Sequence, residues 1–120
     1  MVEHNPEQQL SDILKAASDM TRRSILTTLV QEGATRVTDL AEHYEMSLNA
    51  VSKHIKVLEA AGLVTRQTVG RVHLIEADLG PIGEIDKWFK QLRSIWDLRL
   101  DKLEELLVIN ETENKGAKDV

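Results

Sequence analysis

Cysteine is absent from this chain, and Tyr44, Trp88, Phe89 and Trp96 are its only aromatic side chains. The missing thiols exclude disulfides, thiolate-based zinc sites and a cysteine nucleophile. No apolar run approaches the ~18 residues that a membrane span requires. The opening segment MVEHNPEQQ has neither a basic start nor an apolar export core, so a cytoplasmic protein with no membrane partner is expected. Also missing are a Ser-x-x-Lys or Gly-x-Ser-x-Gly nucleophile, a His-Glu-x-x-His pair and a glycine-rich phosphate loop. No enzyme is expected, and no cofactor.

Positive charge is scarce overall, with 15 Lys and Arg against 20 Asp and Glu, a net charge of −5. That balance argues against a nucleic-acid partner until its distribution is read. Residues 1–46 carry 4 basic and 8 acidic side chains, residues 47–77 carry 4 and 2, and residues 78–120 carry 7 and 10. Only the middle block is positive, and it contains the segment MSLNAVSKHIKVLEAAGLV, residues 46–64.

In that segment Leu48, Val51, Ile55 and Leu58 fall at i, i+3, i+7 and i+10, which predicts a helix over 48–61 with one apolar face. Ser47 suits its N-cap and Gly62 the left-handed position beyond its end. The opposite face carries Asn49, Ser52, Lys53, His54 and Lys56. Upstream, Leu10, Ile13, Leu14 and Ala17 mark a helix over about 7–18. Asp19 caps a second helix with Ile25, Leu26, Leu29 and Val30 on its apolar side and Gly33 at its end. A short third helix carries Val37, Leu40, Ala41 and Tyr44, with Arg36 a poor cap. With only Glu45 and Met46 between it and Ser47, the third and fourth helices form a helix-turn-helix.

The next stretch, LVTRQTVGRVHLIEA, is β-branched and interrupted at Val69-Gly70, which predicts a two-stranded hairpin with its tip near Gly70. The expected fold is therefore mainly α with a small β-hairpin wing, a winged helix-turn-helix. Pro81 opens a long helix running to about residue 109. Ile85, Trp88, Phe89, Leu92, Ile95, Trp96, Leu100, Leu103, Leu106 and Leu107 make on it a stripe about seven turns long, roughly 40 Å, too much for one small domain to cover. A second copy is expected to bury it in a two-fold homodimer made through the terminal helices. Its interface residues are expected to be Leu10, Leu14, Trp88, Phe89, Leu92, Trp96, Leu100 and Leu103. Residues 1–109 are expected to be a single DNA-binding and dimerisation domain, and residues 110–120 a polar, flexible tail.

The segments SDMTRRSIL, VTDLAEHYEMSLNAVSKHIKVLEAAGLV and VGRVHLIEADLGPI resemble the ArsR/SmtB family of dimeric winged-helix repressors over about residues 10–107. The Ser52-x-His54 pair followed by KVLEAAGLV carries most of the specificity. The stretch from Trp88 through Trp96 to Leu107 is similar to a branch not known for metal sensing. The resemblance implies a repressor of a palindromic double-stranded DNA operator, released by an effector. Where arsenic- and cadmium-sensing members read Cys-Val-Cys-Asp-Leu, this chain reads Arg36-Val37-Thr38-Asp39-Leu40, and its last helix has no histidine for zinc. Asp97, Asp101 and Glu105 are expected to form a solvated face pairing with Arg93 and Lys102, and no metal ligands are assigned.

The candidate DNA-binding residues are Ser47, Asn49, Ala50, Ser52, Lys53, His54 and Lys56 on the fourth helix and Arg66 and Arg71 on the wing. For His54 a contact to DNA and a bracing role within the fold are equally open. His43 and His73 are expected to be ordinary surface or half-buried histidines. The two competing functions are a metal-responsive repressor with nitrogen and oxygen ligands, and a winged-helix protein-interaction module.

Overall fold

The computed structural model describes residues 5–118, with side chains as far as residue 110. The elements run α1 (Pro6–Ala17), α2 (Met20–Glu32), β1 (Thr35–Arg36), α3 (Val37–Glu42), α4 (Leu48–Ala60), β2 (Val64–Val69), β3 (Val72–Ala77) and α5 (Ile82–Lys118). They divide into two units, residues 5–85 and residues 86–118.

The first unit is built on helices with well-marked ends. Asn5 caps α1 by accepting from the amides of Glu7 and Gln8, with Pro6 at the first helical position, where no amide partner is needed. Asp19 caps α2 and Ser47 caps α4, each accepting one first-turn amide. At the end of α4, Leu63 N–H reaches the Leu58 carbonyl and Gly62 N–H the Glu59 carbonyl, a Schellman closure in which Gly62 takes φ of 78°. A side chain at that φ would be strained, so Gly62 ends the helix and Leu63 turns back into the core.

The core draws Ile13 and Ala16 from α1, Ile25 and Leu29 from α2, Leu40 from α3, and Val51, Ile55 and Leu58 from α4. Ala61, Leu63, Val64 and Ile75 complete it, and no polar side chain is buried among the described residues of the unit. Of the residues expected on apolar faces of this unit, Leu14, Val30 and Leu48 are exposed, and Leu10 and Ala17 are only half-buried outside the core. Leu48 is 47% exposed and Val30 52% exposed, while Leu14 is exposed at the surface of α1. Leu48 stands in the first turn of α4, one turn beyond the layer formed by Val51, Ile55 and Leu58. Periodicity assigns it the right face but not the right depth.

The wing differs from the expected two-stranded hairpin. β2 and β3 pair antiparallel from Val64↔Ala77 to Val69↔Val72 around Gly70 and Arg71, with Gly70 at φ of 61°. β1 adds a third strand on the far side of β3, pairing Thr35 with Ile75 and Arg36 with Leu74, to give the order β1-β3-β2. Residues 35–36 acquire their strand conformation from this long-range pairing, for which two residues carry no local signal. β3 is thus central, and Ile75 is fully buried.

α5 also departs from expectation. Its backbone is helical to Lys118 rather than stopping near residue 109. Residues 110–118 are polar but include Glu111, Glu113, Lys115, Ala117 and Lys118, all good helix formers. The first hydrogen bonds at its start are short-range, from Ile82 N–H to Leu79, Gly83 to Gly80 and Glu84 to Pro81, so Pro81 precedes the helix by one residue.

Candidate nucleic-acid interface

α3, the turn over residues 43–47 and α4 form the helix-turn-helix. Burial of Val51, Ile55 and Leu58 forces Asn49, Lys53 and Lys56 to the opposite face, where all three are exposed. Asn49 occupies the first turn, the end of a recognition helix that enters a major groove. Ser52 and Ala50 are half-buried flanks of this face. Ser47 is exposed, but its Oγ accepts the Ala50 amide at 3.1 Å, leaving its hydroxyl proton as the group free to donate.

The remaining sequence candidates fall apart in position. His54 is turned toward the start of α2, its Nδ1 3.3 Å from Arg22 Nη1 and 3.9 Å from Asp19 Oδ2. Of its two open roles, bracing is the one for which contacts are present. Arg66 is held by Glu59 through Nε–Oε2 at 3.3 Å and Nη2–Oε1 at 3.4 Å. Arg71 stands exposed at the wing tip. Sequence reasoning missed Arg22, Asp19 and Glu59 as groups acting on the candidate site. Only a contact across 32 residues, Arg22 to His54, reveals the first.

The Asp19 carboxyl is held below the usual carboxylate range, first by the Arg22 backbone N–H it accepts at 3.0 Å. Burial opposes this, and the charges of Arg22 and His54 add to it. At the position of the missing thiolates, Arg36 makes a two-pronged ion pair with Asp39, Nε–Oδ2 at 2.9 Å and Nη2–Oδ1 at 3.2 Å. Among the described residues no three His, Cys, Asp or Glu side chains converge as metal ligands. The ion pairs of the described residues all lie before α5, so Asp97, Asp101 and Glu105 do not form the pairs expected with Arg93 and Lys102. Exposed pairs of this kind gain little over the entropy of their long side chains.

Ile85, at the start of the apolar stripe of α5, packs against the core, and the stripe is exposed from Trp88 onward. Trp88, Phe89, Leu92, Trp96, Leu100 and Leu103 are all exposed, Trp96 to 61%. Trp88 and Phe89 touch, with ring centroids 5.1 Å apart. Leu10 on α1 is half-buried.

Residues 17–67, from the end of α1 into the wing, match a helix-turn-helix domain model. A solved ArsR family transcriptional regulator superposes with a TM-score of 0.72 at 30% identity, covering 81% of this chain and 97% of that one. The chain belongs to the ArsR family of transcriptional regulators. It is similar to the arsenical resistance operon repressor of Bacillus subtilis, 41% identical over 56 residues. That match takes in 47% of this chain and spans about half the length of the relative, 53%. The transcriptional repressor SdpR of Bacillus subtilis is 34% identical over 62 residues, 52% of this chain and 68% of SdpR. The fold of this ArsR family member is accordingly a winged helix-turn-helix, mainly helical with a small antiparallel sheet.

Proposed function

We propose that this protein is a dimeric, sequence-specific repressor that inserts α4 into the major groove of a palindromic operator. The observation that carries the reading is the face of Asn49, Lys53 and Lys56, exposed over buried Val51, Ile55 and Leu58 in a regulator of this family. Asn49 has the paired donor and acceptor that match adenine, and Lys53 matches guanine or a phosphate. Ser47, Ser52, Ala50 and Lys56 line the same approach. Arg71 supplies charge to a neighbouring phosphate, with Arg66 behind it once released from Glu59. Such a protein acts in the cytoplasm and has no catalytic role.

The stripe of α5 is the surface we assign to the homodimer, and Leu10 and Leu14 of α1 are assigned separately as further contacts to the second copy. Residues 1–109 then act as one DNA-binding and dimerisation domain. Two-fold symmetry would set the recognition helices about 34–36 Å apart, one turn of B-DNA. The effector that releases DNA is not a thiol-bound metal, since Arg36 and Thr38 stand where the thiolates would be. The acidity of the rest of the chain restrains non-specific coating of DNA.

The test is a titration of duplex DNA, selected from a randomised pool by the protein, at two salt concentrations and with arsenite, cadmium or zinc added. Salt-sensitive, sequence-selective binding indifferent to all three ions is expected. Loss of binding on adding an ion would establish a metal sensor, and selection of no duplex would point to a protein-interaction module.

A further inference from the structure

Arg22 sits in the first turn of α2, where α1, α2 and α4 meet, and its side chain reaches both of the other helices. Its Nε donates to the Ala16 carbonyl at 2.8 Å and its Nη2 to the Lys15 carbonyl at 3.1 Å. Both belong to the last turn of α1, where carbonyls lack partners within the helix; the Lys15 carbonyl also accepts from the Ser18 N–H at 3.2 Å and the Ser18 Oγ at 2.6 Å. Its Nη1 lies 3.3 Å from His54 Nδ1 in the middle of α4. A guanidinium has donors only, so this contact is a hydrogen bond when His54 Nδ1 is the acceptor and the ring proton sits on Nε2. The remaining charged group facing the ring is Asp19, with Oδ2 3.9 Å from the same Nδ1. On the other elements packed against α4, Asp39 is engaged by Arg36, and Arg66 by Glu59. With 23% of its side chain exposed, His54 belongs to this corner rather than to the open face of Asn49 and Lys53.

We propose that Arg22 is a positioning residue for DNA binding, tying the recognition helix to the end of α1 through neutral His54, and that protonation of His54 weakens operator binding. This rests on the reading of α4 as the DNA-contacting helix. A proton on Nδ1 removes the acceptor and places an imidazolium beside a guanidinium, so the Arg22 bond must break. Asp19 is the group positioned to accept the new N–H. The bond from Arg22 to α4 is exchanged for one from α4 to the cap of α2, and α4 loses its hydrogen-bonded tie to the end of α1 while the core packing of the two helices remains. The expected sign is opposite to that of a histidine facing DNA, whose protonation adds a cation beside phosphate and strengthens binding.

The experiment uses the full chain and a duplex selected from a randomised pool by the wild-type protein. Affinity is measured by fluorescence anisotropy from pH 8 to pH 5, the interval in which histidines generally change charge. His54→Gln, which keeps an acceptor without titrating, is the reference against which the other histidines cancel. Wild-type affinity is expected to fall relative to His54→Gln by about fivefold across the interval, the worth of one net hydrogen bond. Arg22→Lys keeps the charge but cannot span three acceptors, so it should bind more weakly at pH 8 and lose the pH difference. Ring nitrogen shifts of His54 should report the Nε2–H tautomer at pH 8. Affinity that rises with acid relative to His54→Gln, or profiles that superimpose, overturns the proposal while leaving the DNA-reading role intact. Selection of no duplex overturns both. If Arg22→Lys fails to fold, the comparison of wild type with His54→Gln still decides.

Discussion

Arg66 in β2 and Glu59 near the end of α4 bind each other through two contacts of 3.3 and 3.4 Å, which places a carboxylate beside a cation that is proposed to face DNA from the wing. Their side chains are 24% and 36% exposed, so the pair is worth no more than about 1 kcal/mol to stability. Its larger effect is on binding. Glu59→Gln removes one negative charge from the interface and frees Arg66, so affinity for every duplex should rise and the salt dependence should steepen by up to about one unit per protomer. The check is a salt titration of wild type and variant, with urea midpoints to show that stability is unchanged. An unaltered slope would mean that Arg66 stays away from phosphate.

The cap of α2 links stability to acid. Because the Asp19 carboxyl titrates below its ordinary range in the folded chain, its charge contributes stability that is complete above the unfolded-state value, near pH 4. That contribution disappears as pH falls through the lower folded value. Asp19→Asn keeps a cap acceptor but no charge. Its thermal midpoint should lie below wild type at about pH 6 and converge with it as pH falls below the ordinary carboxylate range. Midpoint curves that remain parallel over the whole range would assign the effect to cap geometry alone.

The features legible in the sequence are those set by neighbours in the chain. Asp19, Ser47 and Gly62 mark helix ends because each acts on amides or carbonyls within a few residues, and all three do so as expected. The outward face of α4 follows from Val51, Ile55 and Leu58 by helical spacing. What was not legible depends on distant partners. Thr35 and Arg36 become a strand only because Leu74 and Ile75 lie alongside. Arg22 looks like one more surface arginine until the fold brings Ala16, Lys15 and His54 around it. Arg66 reads as a free cation until Glu59, seven residues earlier, is placed across from it. The end of α5 at Lys118 is not legible because residues 110–118 are polar yet include several good helix formers.

The assembly assigned to α5 predicts a selective effect of position. Trp96 and Leu100 are i, i+4 neighbours on the uncovered stripe, whereas Leu98, 70% exposed, lies about 200° around the helix from Leu100. Trp96→Glu with Leu100→Lys should give monomer by light scattering, since each large side chain buried in a dimer contributes about 1.5–3 kcal/mol. Leu98→Lys should leave the dimer intact. Persistence of the dimer in the double variant, or its loss on changing Leu98 alone, would place the interface on another face of the chain.

Reading a base and holding a phosphate make different demands, and the roles proposed for Asn49 and Arg71 divide them. Asn49 is exposed in the first turn of α4 with a planar amide that can satisfy a base edge only in one orientation. Arg71 is exposed at the two-residue tip of the wing, where in the proposed role its charge would serve whatever the sequence beneath it. Asn49→Ala should therefore cost about 1–3 kcal/mol on the selected duplex and little on a scrambled one, relaxing preference at particular base pairs. Arg71→Ala should weaken both duplexes about equally and reduce the salt slope by about one unit per protomer. Both variants are to be measured on both duplexes across a range of salt. Equal losses on the two duplexes for Asn49→Ala, with a change of sequence preference for Arg71→Ala, would reverse the two roles. No change in either would remove α4 and the wing tip from the DNA contact.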